Sequence, residues 1–156
     1  MDGLVTSVVA VFATLAGSAL TFVFQAHAAR QAERFARDQQ LRNERVVAYS
    51  AFAGALTDFR RAQNDRWHLE QDDAASPQFA AVRDDSYRLR ATATGTLCQI
   101  RLLCGDDTLN ALAQGALDAA TQVLLAADEQ DRAARGEKAR LTLEQFLATA
   151  AIHVRP

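Results

Sequence analysis

Lysine is almost missing from this chain: Lys138 stands alone against 16 arginines. Such a bias goes with a G+C-rich coding genome and carries no chemistry. Cysteine is scarce too, with only Cys98 and Cys104. Six residues apart on a helix, they are rotated by about 600° and fall on different faces, so they are not set to share a metal. In a reducing compartment both read as small buried apolar residues and not as a disulfide. No Cys-x-x-Cys pair, phosphate loop, zincin pair or nucleophile elbow occurs. His27, His68 and His153 are scattered along the chain. His68 has Glu70, Asp72 and Asp73 nearby, and that acidic run reads as a solvated helix end before it reads as a metal site. The doublets Asp84-Asp85 and Asp106-Asp107 diverge around a helix instead of converging on a substrate. The expectation is a protein with no catalytic residues, no metal and no cofactor.

Proline and glycine are sparse as well, at 2 and 7 of 156 residues, and neither occurs between Ser18 and Ala53. Nothing there obliges a helix to stop. Strand-like alternation and internal repeats are also lacking. The apolar residues recur instead at helical spacing, which predicts an all-α fold.

Charge is absent from Gly3 to Phe24. A bilayer core about 30 Å thick needs roughly 20 apolar residues, so the run is long enough to cross it. Ala26-His27-Ala28 resembles a signal-peptidase site, but Met1-Asp2 lacks the basic start of a signal peptide, and a buried core helix would rarely be uncharged all round. The chain therefore reads as a transmembrane anchor over 1–25, a polar helical stalk over 26–45 and a helical bundle over 46–156, the span continuing into a cytoplasmic antiparallel bundle of three to four helices. The basic residues follow the span, with Arg30, Arg34 and Arg37 nearest. By the positive-inside rule they orient it with the N-terminus outside and the body in the cytoplasm, the lipid bilayer being the first partner. Ala13, Gly17 and Thr21 lie four apart and leave one face of the span with little bulk, a seam for a homo-oligomer.

Beyond the stalk, Leu41, Ala48, Phe52, Ala55, Leu56, Phe59, Ala62 and Leu69 form one stripe. Ser76-Pro77 is a helix start, since Ser caps and Pro suits the first turn. The next helix buries Phe79, Val82, Leu89, Ala93, Leu97, Ile100 and Leu103, and Gly105 suits a left-handed end. Asp106 caps a third helix that carries Leu109, Leu112, Ala116, Ala120, Val123 and Ala127 and runs to Gly136. A fourth begins near Lys138 and offers Leu143, Phe146, Leu147, Ala150 and Val154. Gly54, Gly95 and Gly115 fall inside helices, where close helix contact would account for them.

Arg60 and Arg61, followed by Asn64, Arg66 and the single Trp67, form a basic and aromatic patch. Exposed, they suit a protein interface, in which Trp and Arg are common anchors. The competing reading has Trp67 covering the end of the bundle. A net charge of −2 argues against nucleic acid as the partner.

The run from Ala13 to Ala62 resembles the kilB-type small membrane proteins of actinomycete plasmids and integrated elements. The likeness rests on Thr14-Leu15-Ala16-Gly17, Gln25, Arg30, Glu33-Arg34, Leu41-Arg42 with Glu44, and Arg60-Arg61. It covers the first 65 residues well and the remainder only as Ala-rich helices. The resemblance implies a part in conjugal plasmid spread, with harm to the host when expression is uncontrolled, and it carries over no catalytic residues. Two mechanisms fit. In one, the chain is a single-pass interaction module that recruits an unidentified protein partner at the cytoplasmic membrane. In the other, the span itself oligomerises and perturbs the membrane as a toxin does.

Overall fold

The structure, a computed structural model, describes residues 2–155, with the side chains of residues 25, 27 and 29–155. Four α-helices follow one another: α1 (Asp2–Asp73), α2 (Pro77–Leu103), α3 (Asp107–Gln122) and α4 (Glu129–His153), with a 3-10 turn at Val123–Leu125 between the last two. The chain divides into two compact units, Met1–Leu41 and Arg42–Pro156. In the first, every described side chain is exposed, Phe35 included.

The expected transmembrane helix is corrected. Among the described residues no helix is long and apolar enough to cross a membrane. The uncharged run was read from composition alone, and its side chains, with those of Ala13, Gly17 and Thr21, lie outside the described residues. The all-helical expectation itself holds, with four α-helices.

In the second unit the helices run up, down, up and down. Contacts between α1 and α4 fix an antiparallel register. Arg42 Nε donates to the Val154 carbonyl at 2.6 Å, the Tyr49 and Phe52 rings meet Phe146 edge-on at 5.9 and 5.1 Å, and Arg60 reaches the Gly136 carbonyl. Between α1 and α2, Arg45 Nε donates to the Leu103 carbonyl at 3.3 Å. Arg42 and Arg45 thus satisfy carbonyls at the C-terminal ends of α4 and α2, where a cation also suits the helix dipole.

Among the described residues Phe52, Phe59 and Phe146 are the largest fully buried side chains, joined by Leu56, Leu97, Ile100 and Leu109. Each such apolar side chain stabilises the fold by about 1.5–3 kcal/mol on area grounds. Of the expected stripe on α1, Ala48, Phe52, Leu56, Phe59 and Ala62 are buried, whereas Leu41 is exposed. Tyr49, absent from that stripe, is buried because its ring packs on Phe146.

Ser76 caps α2 by accepting from the Phe79 N–H, with Pro77 in the first turn, and Asp106 caps α3 by accepting from the Leu109 N–H. Both starts were readable. Other boundaries differ. The cap residue Cys104 is extended and ends α2, and no described glycine has a positive φ, so Gly105 makes no left-handed end. α4 begins at Glu129, nine residues before Lys138, because the Asp128 carboxylate accepts from the Asp131 N–H and starts the helix there. Gly136 therefore lies inside α4. Gly54, Gly95 and Gly115 are not sites of close approach either: a Cβ built on any of them would meet nothing within 4 Å. Cys98 is exposed and Cys104 buried, both free, so only one of the two is a core residue.

Candidate functional site

Phe59, Gln63 and Trp67 face the core from α1, and the 100° step between residues turns Arg60, Arg61 and Asn64 toward the flank that meets α4. The antiparallel register places Arg132, Ala133 and Gly136 of α4 opposite them. Val123 lies at the base. Together with Thr57 and Asp58 these residues line an open groove of about 550 Å³.

The three arginines of the groove are held differently. Arg132 is fixed most firmly. Its Nε donates to Glu129 at 2.8 Å, its other nitrogens bond Glu129 and Asn64, and its guanidinium lies 5.7 Å from the centroid of the Trp67 ring. Arg60 makes one long contact, 3.4 Å to the Gly136 carbonyl. Arg61 is exposed and has no hydrogen bond or ion pair among the described residues.

One carboxylate, Asp58, is part of the groove wall, and others stand beside it. The Arg132 contact holds Glu129 below the usual range for its carboxyl. Bonds from Arg140, together with the more distant charge of Arg60, do the same for Glu137. At the start of α4, Asp131 is lowered first by Arg135 and then by the Ala127 N–H. Arg135 Nε lies 2.9 Å from its carboxylate, and the N–H donates at 3.0 Å.

Trp67 belongs to the fold and not to an exposed surface. It is 7% exposed, and its indole N–H donates to the Ala126 carbonyl at 2.9 Å. The ring thereby ties the end of α1 to the turn before α4. Of the three residues expected at a protein interface, Arg60 and Arg61 come together in the groove, while Trp67 supports it from below through Arg132. Arg132 itself was missed. It lies 68 residues from Asn64, and no local signal announces a pairing set by helix register.

The exposed side chains of Arg30, Arg34 and Arg37 lie on α1 in the first unit. No group of three or more His, Cys, Asp or Glu side chains among the described residues is arranged to hold a metal ion.

At the opposite end of the bundle, Tyr49 is buried beside Cys104. Burial foremost, and then the thiol, push its phenol above the usual tyrosine range. The hydroxyl nevertheless lacks a partner of hydrogen-bond geometry among the described residues. His153 Nε2 lies 3.4 Å from Asp106, closing the end of α4 on the start of α3.

No solved structure matches this chain. Protein KilB from Streptomyces lividans is 35% identical over 100 residues, 64% of this chain and 65% of that protein, so just under two thirds of the relative's length is matched. The family model described as KilB plasmid transfer protein matches residues 46–154. That match lies on the helical body, from the second half of α1 to the end of α4, and not on the N-terminal region where the motif likeness is densest. With the bundle and its arginine groove inside the matched segment, the chain belongs to the KilB plasmid transfer protein family.

Proposed function

We propose that this chain takes part in plasmid transfer as a non-enzymatic interaction module, docking an acidic segment of a protein partner along the groove between α1 and α4. The observation that carries the reading is Arg61, an exposed guanidinium on the groove wall with no ion pair or hydrogen bond among the described residues. Beside it, Arg60 and Arg132 are already oriented by their own contacts. Pre-ordered arginines lose less side-chain entropy when a carboxylate arrives, and the planar fork matches carboxylate geometry. Family membership supports the transfer role, and the match to residues 46–154 supports locating it in the body. A nucleic-acid partner fits less well, because a phosphate backbone calls for a longer run of basic contacts than the three arginines of this groove.

The test places a photo-crosslinking amino acid at Ala133, an exposed residue of the groove wall, in cells that carry the plasmid, with the same probe at Ala91 on the exposed side of α2 as control. A discrete protein adduct is expected from position 133, absent from position 91 and from cells lacking the other transfer genes. Adducts of equal pattern from both positions, or none from 133 while transfer continues, would contradict the docking.

A further inference from the structure

A second pocket lies on another face of α1, between α1, α2 and the end of α3. Its volume is about 240 Å³, and Phe59, Gln63 and Arg66 of α1 face Tyr87 and Arg90 of α2 across it, with Thr121 at the edge. None of its lining residues is a carboxylate. It therefore differs from the groove described above, where Asp58 is part of the wall.

Three polar side chains inside the pocket, Gln63, Arg66 and Ser86, are built into the fold. Gln63 is 4% exposed and Ser86 1%, the two buried polar residues among the described residues. Arg66 Nε is shut off from solvent and has no hydrogen-bond partner among the described residues. Its guanidinium lies 5.2 Å from the centroid of the Tyr87 ring, a contact that keeps the side chain in place. Arg90 is exposed at the rim, with no carboxylate bonded to it among the described residues. Held there with no hydrogen-bond partner among the described residues, the Arg66 guanidinium lines the pocket and can take an acceptor through its outer nitrogens. Here the acceptor would sit between two positive charges in a partly desolvated space, which favours an anion over water. The size limits the choice. Pockets for drug-sized ligands begin at about 300 Å³, so a nucleotide is too large, while a phosphate or carboxylate group is accommodated.

We propose that this pocket binds a compact oxyanion, a phosphate or a carboxylate group, gripped by Arg66 and Arg90 with the Gln63 amide as a further donor. The site is independent of the arginine groove, and neither stands on the other.

The experiment follows the Nε–H resonance of Arg66 in the ¹⁵N-labelled full chain during titration with sodium phosphate, sodium acetate and sodium chloride at constant ionic strength. A saturable shift with phosphate or acetate, and none with chloride, is expected. Saturation by phosphate alone assigns a phosphate group, saturation by acetate alone a carboxylate, and saturation by both a general oxyanion site. Arg90→Gln should weaken the affinity about tenfold, as expected for the loss of one charge-assisted contact. In Arg66→Lys the reporting resonance is gone, and the Gln63 amide protons report the weakened binding in its place. Chloride acting as well as the oxyanions, or no saturation by either oxyanion up to tens of millimolar, overturns the proposal.

Discussion

Replacing Gly54, Gly95 and Gly115 together by alanine should stabilise the bundle. These residues lie inside α1, α2 and α3 respectively, and the added methyl group would meet no atom within 4 Å. With nothing to collide with, only the backbone term remains. Glycine in a helix interior is less favourable than alanine by about 0.8–1 kcal/mol, part of which acts through the unfolded chain. The three sites are on different helices with no shared partner, so their effects add to roughly 2–3 kcal/mol. For a body of this size that corresponds to a rise in Tm on the order of 10 °C. Far-ultraviolet circular dichroism during heating, and a guanidinium titration of the same protein, measure it. A triple variant that melts at or below the parent temperature refutes the reasoning, since it would mean that helices meet at those glycines after all.

Three further outcomes follow from the packing. Trp67→Phe keeps most of the ring but loses the donor to the Ala126 carbonyl, so stability should fall by about 1–2 kcal/mol in chemical denaturation. Tyr49→Phe removes a buried hydroxyl that has no partner and should be neutral or mildly stabilising at neutral pH. Because burial raises the phenol above its usual value, the folded state holds that proton more tightly. The parent should therefore lose stability as pH rises past about 10, the ordinary tyrosine value, and the variant should lose less. At the other end of the scale, Asp131 is depressed by Arg135 and the Ala127 N–H. Its contribution is present above the ordinary carboxyl range and is lost as pH falls through the lowered value. Carbon-detected titration of the carboxyl should move back toward the ordinary range in Arg135→Gln.

The parts of the fold that were legible in the sequence are those set by local chemistry. Ser76 and Asp106 cap helices because their side chains accept from the third N–H beyond them, a pattern carried within four residues. The apolar stripes of α1 and α2 were legible because burial repeats at the helical period. The start of α4 lies nine residues before the position that Gly136 suggests, because the Asp128 cap, also a local signal, sets it. The role of the glycines was a different matter. Whether a helix interior glycine touches a neighbour depends on tertiary space, and here the space is open. The candidate site shows the same division. Arg60 and Arg61 stood out as an adjacent pair, while Arg132 joins them only through the register of α1 against α4, and Trp67 turned inward because its N–H found the carbonyl of the distant Ala126.

The most direct test of the docking groove is the frequency of plasmid spread in cells where the gene is deleted and restored as the parent chain, as Arg61→Glu or as Arg88→Glu, at matched protein levels. Arg88 is an exposed arginine on α2 already paired with Asp85 at 2.6 Å, so it controls for charge alone. Loss of a docking charge and its replacement by a repelling one costs about 2–5 kcal/mol in binding, so Arg61→Glu should reduce spread by at least tenfold while Arg88→Glu restores it. Equal restoration by Arg61→Glu, with its helical content and melting unchanged, would contradict the groove as the surface through which this protein acts.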